Sequence, residues 1–146
     1  MGAGKTRGVD ADIADAVNSN TLEATVKFAK SFAEKTGAII VMTGAIDIVA
    51  DQIHAYCIKN GHPMMSKITG TGCQLSALIA AYVTASPEQP LEAAAAAVCA
   101  MGLCGEQAFG RLSLQDGNAS YRNYIIDAIC NLTEEELLSG AKYEVR

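Results

Sequence analysis

From Leu91 to Phe109 the chain runs almost without a polar side chain, and this stretch constrains everything packed around it. It has the length of a bilayer-spanning helix. It is, however, built on Ala and Gly rather than Leu and Ile, and Glu92 and Glu106 lie inside it. It therefore reads as a helix buried by protein, and no membrane segment is expected. A buried helix of that length needs a core, and 146 residues that are 50% hydrophobic and 18% charged are enough to build one globular domain.

Charge and cysteine usage exclude several functions. The formal net charge is −5 and the pI about 4.9, with no basic stripe to neutralise a phosphate backbone, so no nucleic-acid partner is expected. Cys57, Cys73, Cys99, Cys104 and Cys130 are scattered, no CxxC pair occurs, and only two histidines are present. A structural metal site is not expected, and free thiols in a reducing cytoplasm are the simplest reading. The N-terminus lacks the apolar core of a secretory signal. His54 and His62, split by a turn and without a third ligand, read as structural.

Local signals give an order of elements. Asp12 to Lys35 reads as a helix, with Thr21 as a possible N-cap inside it, Leu22, Val26, Phe28, Ala29 and Phe32 at roughly helical spacing, and Gly37 as its stop. Ala38 to Met42 is a continuous apolar run between glycines, predicting a strand buried on both faces and half of a βαβ unit. Ile46 to Ala50 and Ile53 to Ile58 read as a hairpin, Asn60-Gly61 as a turn, and Met64 to Ile68 as another short strand. Helices are predicted over Gln74–Thr84, the Ala-rich stretch and Tyr121–Asn131, with Asp116-Gly117-Asn118 a turn. Thr133 and Glu136 form a capping box for a last short helix. Strands first and helices afterwards is a lopsided order, suggesting the second part of a larger α/β domain whose sheet would carry an open edge near Ala38 to Met42.

The chemistry is concentrated in Thr69-Gly70-Thr71-Gly72-Cys73, between a predicted strand and an apolar helix. Glycine lets backbone approach a ligand closely, and the N–H groups of Gly70, Thr71, Gly72 and Cys73 would converge at the positive end of the helix dipole. Such a segment suits an anion, phosphate above all. A thiol in that first turn is favoured as thiolate, making Cys73 a candidate base or nucleophile. The other four cysteines read as small buried hydrophobes, Cys130 on an apolar helix face among them. Thr43 ends a strand where α/β sheets hold ligands and offers a hydroxyl, and Lys67 precedes the glycine loop. Gly4-Lys5-Thr6 matches only the tail of a phosphate-loop motif and reads as an accidental loop.

Taken together, Thr43-Gly44-Ala45-Ile46-Asp47, the run Gly61-His62-Pro63-Met64-Met65-Ser66-Lys67-Ile68 leading into Thr69 to Cys73, and Lys5 to Asp10 resemble the hydroxyethylthiazole kinase family of thiamine biosynthesis. The likeness runs from about Lys5 to Cys104. It implies a ribokinase-like three-layer α/β sandwich, of which residues 1–146 are a single incomplete domain, the C-terminal portion: few strands including a hairpin, then several helices. It also implies ATP-dependent phosphorylation of the primary alcohol of 4-methyl-5-(2-hydroxyethyl)thiazole, with ATP and Mg²⁺. Carried over by motif, Gly70 is substrate-binding, Thr43 is ATP-binding, and Gly70, Thr71, Gly72 and Cys73 form the anion hole. Cys73 stands where ribokinase relatives place a catalytic Asp, which argues against another ribokinase-type small-molecule kinase. Family chains are nearly twice this length, so sheet strands, an Arg that holds ATP and an Asn/Glu motif associated with Mg²⁺ are expected outside this sequence. A homo-oligomer, a trimer by resemblance, or a partner chain carrying the N-terminal half follows. The alternative is a non-catalytic remnant that binds phosphate or nucleotide weakly.

Overall fold

The computed structural model describes residues 21–146. Gly4-Lys5-Thr6, the Lys5–Asp10 likeness and the first part of the predicted N-terminal helix lie outside the described residues. Helix α1 spans Leu22–Thr36 and buries Leu22, Val26, Ala29 and Ala33, a single stripe at three- and four-residue spacing. It stops at Gly37, whose left-handed backbone (φ 68°) lets its N–H reach the Ala33 carbonyl at 2.8 Å. Thr21 holds the N-cap position in helical backbone without a side-chain capping bond. Phe28 and Phe32, on the predicted apolar face, instead stack on each other on the outer surface, 51% and 41% exposed.

The sheet is antiparallel throughout, in the order β1-β2-β3-β4. Its strands are β1 (Ile40–Met42), β2 (Asp47–Ala50), β3 (Ala55–Ile58) and β4 (Tyr143–Val145). The predicted hairpin is β2–β3, closed by Asp51, whose Oδ1 accepts the N–H groups of Ile53 and His54 at 2.6 and 2.5 Å. Alternation sorts the side chains. Ile48, Ala50, Ala55 and Cys57 pack with α1, while Val49 and Ile58 join the core on the opposite face.

Two expectations are corrected, and one strand goes unforeseen. The run from Ala38 to Met42 yields β1, covered on both faces as expected, with Val41 toward the α3 core and Ile40 and Met42 toward α1, but it pairs antiparallel with β2 rather than as half of a βαβ unit. Among the described residues its other edge is open, as the order of elements suggested, which leaves the strand half-buried. An apolar run reports a wish for burial but not how many neighbours satisfy it. Met64 to Ile68 forms no strand: Pro63–Lys67 is a 3₁₀ turn, with Pro63 in its first positions and His62 Nδ1 accepting the Met64 N–H at 3.2 Å. β4 carries no apolar run and was not legible; it forms because the chain returns beside β3, pairing Cys57 with Glu144.

On the second face lies the predicted buried helix, α3 (Pro90–Gly110). It is long and apolar enough to cross a membrane by length and composition, but its surface is taken up by β2, β3, α2 (Thr71–Ala85), α4 (Asn118–Asn131) and α5 (Glu134–Gly140). Val98, Met101 and Cys104 of α3 pack with Leu75, Tyr121 and Ile125, and the buried Tyr121 hydroxyl donates to the Gly105 carbonyl at 2.9 Å. Helix α1, the sheet and the α2–α5 layer make the expected three-layer α/β sandwich. Cys57, Cys99 and Cys104 are buried as expected, whereas Cys130 is exposed, on the outer side of α4. The capping box is present, Thr133 N–H donating to Glu136 Oε2 at 2.9 Å and Glu136 N–H to Thr133 Oγ1 at 3.3 Å.

Small residues on α3 let the segment after β3 lie against it. A Cβ on Gly102 would stand 2.7 Å from the Asn60 backbone carbon, and one on Gly105 would overlap Met65 Sδ. Asn60 is buried and fully engaged. Its Oδ1 accepts the Lys142 N–H at 2.7 Å, and its Nδ2 donates to the Gly140 carbonyl at 2.9 Å and to Glu106 Oε1 at 3.2 Å. Glu106 also accepts from the Gly61 N–H (2.9 Å) and Lys142 Nζ (2.6 Å). Burial alone would raise the Glu106 pKa, but these donors hold it below the usual carboxylate range. Because the Gly102 contact is with backbone, which cannot swing away, Gly102→Ala is expected to destabilise the fold by about 1–3 kcal/mol, read from urea unfolding.

Candidate functional site

A cleft of about 580 Å³ opens where these elements meet. Its walls are the β1–β2 loop (Thr43, Gly44, Ala45), Asp47 at the start of β2, and the segment Lys59 to Pro63 after β3. Met65 and Ser66 of the 3₁₀ turn, Thr71, Gly72 and Leu75 of α2, and Val98, Met101 and Gly102 of α3 complete it. The Asn60–Glu106 bonds fix the wall formed by Gly61 and His62. The His62 ring lies over Phe109, with centroids 3.5 Å apart.

One end of the cleft is the N-terminus of α2. Gly70 is its N-cap at φ 98°, a left-handed conformation that favours glycine, and no side chain caps the helix. The first intrahelical bond runs from the Gln74 N–H to the Gly70 carbonyl at 3.0 Å, so the N–H groups of Thr71, Gly72 and Cys73 precede the ladder. Gly72 needs neither a positive φ nor extra space, since nothing lies within 4 Å of where its Cβ would stand. Packing among the described residues gives no reason for glycine there; close approach of a ligand to the backbone would.

Of the residues singled out from the sequence, Thr43, Thr71 and Gly72 meet in the cleft. Gly70 adjoins it as the N-cap. Cys73 lies on the first turn of α2, exposed and outside the cleft walls. Lys67 is also exposed outside the walls, and its carbonyl accepts from Asn118 Nδ2 at 3.1 Å. His54 is a surface residue 4.0 Å from Asp51. His62 has the structural role expected of it, as cap of the 3₁₀ turn, yet also faces the cleft.

Sequence reasoning missed Asp47, which stands in the quoted motif run but was given no role. It is half-buried, and its Oδ1 accepts the Gly44 N–H at 2.8 Å. Desolvation pushes its pKa up to about 6, against the lowering effect of that hydrogen bond. Its charge reaches Cys99 on α3, whose thiol burial and the Asp47 carboxylate together raise to about 11. The signal available was an acid three residues after a glycine in a strand-to-strand loop, a spacing that suits a side chain returning to loop backbone.

A folded-state pKa above the unfolded value means that Asp47 favours the fold below about pH 4, and that this contribution is lost as pH rises through 6. At pH 7 the ionised carboxylate is therefore a cost. Asp47→Asn keeps an acceptor without the charge and is expected to raise stability at pH 7.5 by about 2 kcal/mol, with the gain vanishing near pH 4. Urea midpoints of both proteins at the two pH values measure this.

Comparison with known proteins agrees with the motifs. Residues 2–135 match the model of the hydroxyethylthiazole kinase family. A hydroxyethylthiazole kinase of Clostridium acetobutylicum is 58% identical over 144 residues, 99% of this chain and 53% of its own. One from Desulfovibrio desulfuricans is 36% identical, over 97% of this chain and 52% of its own. The structure of a hydroxyethylthiazole kinase from Pyrococcus horikoshii superposes with a TM-score of 0.78 at 26% identity, covering 87% of this chain and 48% of that one. The chain thus spans about half the length of the relatives it matches. On the family match and the fold alike, it belongs to the hydroxyethylthiazole kinase family, with a ribokinase-like architecture.

Proposed function

We propose that residues 1–146 form the C-terminal part of a domain that phosphorylates the primary alcohol of 4-methyl-5-(2-hydroxyethyl)thiazole from ATP, acting with an N-terminal half. The observation that carries this is the uncapped N-terminus of α2, with Gly72 open to a cleft that Thr43 also lines. Phosphoryl transfer is mostly positioning and charge neutralisation, and a first helical turn of free N–H groups suits the developing charge on the transferred phosphoryl. In this reading Gly70 contacts the thiazole, Thr43 holds ATP, and Gly70 to Cys73 form the anion hole. Cys73 takes the alcohol proton as the oxygen attacks phosphorus and ADP leaves.

Among the described residues no group of three or more His, Cys, Asp or Glu side chains could hold a metal, and the cleft offers one carboxylate, Asp47. Mg²⁺ is proposed to enter with the triphosphate and to meet the Asn/Glu motif that the resemblance places outside this sequence, and no step is assigned to it. Buried free thiols suit a cytoplasmic enzyme. A trimer, or pairing with a chain carrying the other half, would cover the half-buried edge β1. A second reading, a remnant that binds phosphate or nucleotide without catalysis, needs only the uncapped N-terminus of α2 beside the cleft.

The test is ATP-dependent phosphorylation of hydroxyethylthiazole with Mg²⁺, by the chain alone and with the N-terminal half of the Clostridium acetobutylicum relative added. Activity in either sample is expected, and activity only on mixing identifies a split kinase. None in either, with both samples folded, leaves the remnant reading. In the active sample Cys73→Ser is expected to weaken turnover and Cys73→Asp to retain it. Gly72→Ala is expected to match or exceed the wild-type stability, by up to about 1 kcal/mol, yet weaken ATP binding at least tenfold because the methyl group occupies the ligand's space.

A further inference from the structure

The β1–β2 loop, Thr43 to Ile46, forms one rim of the cleft, and Thr43, Gly44 and Ala45 are all exposed. An exposed threonine on a short loop holds a ligand well only if the loop is already fixed, because ordering it on binding subtracts from affinity. Asp47 supplies a tether. It is the first residue of β2, on the same face as Val49, which packs in the α3 core, and its Oδ1 accepts the Gly44 N–H at 2.8 Å. A carboxylate is an expensive choice for this task, since an amide or hydroxyl oxygen would accept the same N–H without a desolvated charge. Its return is a charge-assisted bond, roughly twice as strong as a neutral one.

We propose that Asp47 is a positioning residue for nucleotide binding: its carboxylate fixes the Gly44 backbone so that Thr43 is presented to the cleft in its ligand-holding arrangement. This rests on the reading that the cleft takes ATP, and Asp47 itself acts through Thr43 rather than on the reacting atoms. Two properties separate the proposal from a purely structural role. Its effect must depend on Thr43, and an oxygen acceptor without charge must restore most of it.

The experiment is calorimetric titration of ATP with Mg²⁺ into the full chain, or into its mixture with the relative's N-terminal half if only that sample binds. Wild type is compared with Asp47→Ala, Asp47→Asn, Thr43→Ala and the double variant Thr43→Ala/Asp47→Ala. Far-UV spectra and thermal melts establish that each is folded. Asp47→Ala is expected to weaken ATP binding about tenfold, Asp47→Asn by no more than about threefold, and the double variant no more than the weaker single one. The Gly44 amide resonance should move in Asp47→Ala and change less in Asp47→Asn. Wild-type affinity in Asp47→Ala, or additive losses in the double variant, overturns the positioning role while leaving the nucleotide reading intact. No ATP binding by wild type in either sample overturns both.

Discussion

Everything around the cleft depends on how closely the chain after β3 can approach α3. Gly102 and Gly105 remove the side chains that would hold it away, and Asn60 and Met65 occupy the space released. The approach is then locked by polar groups. Asn60 joins the end of β3 to Gly140 and Lys142 at the far end of the sequence, and Glu106 on α3 joins both to Gly61. A half-satisfied set of buried polar groups would be worse than an apolar contact; here the amide uses its carbonyl and both its donor directions. The same lock aligns β4 beside β3 and holds Gly61 and His62 at the cleft wall. Fold and site thus share one set of contacts.

The parts of this arrangement that sequence made legible are those written locally. The α3 stretch, the α1 stripe at Leu22, Val26 and Ala29, the β2–β3 hairpin and the Thr133–Glu136 capping box all declare themselves within a few residues. What failed depends on distant partners. β4 has no apolar signature because pairing with β3 across most of the sequence creates it. The antiparallel pairing of β1 was missed because an apolar run is silent on strand direction. Phe28 and Phe32 follow the helical period but stand outside the stripe that meets the sheet. Met64 to Ile68 looked like a strand by composition, and Pro63 with the His62 cap turned it into a 3₁₀ segment.

The site was legible in a similarly uneven way. TGTGC is a local motif, and its geometry as a helix entry follows from Gly70 being able to adopt φ 98°. That Thr43, Thr71 and Gly72 share a cleft is a tertiary fact, reached in the sequence only through family resemblance. Asp47 was hidden because a carboxylate in a strand-end motif reads as a surface charge until the fold shows α3 behind it.

The charges in the cleft sharpen what such a site can accept. Lys59 among its walls pairs with Glu144 at 3.6 Å, and Glu144 is already held by Arg146 at 2.8 Å, so that pair is weak and easily released. Asp47, by contrast, places a negative charge in the space proposed for a triphosphate. A bare polyanion would meet repulsion there, whereas one carrying its own divalent cation would bring charge compensation with it. The helix N-terminus supplies partial positive charge at one end, but only within its first turn. Under the proposed nucleotide reading, a cleft with one carboxylate, one loosely held ammonium and one uncapped helix takes its phosphate as a metal complex rather than free.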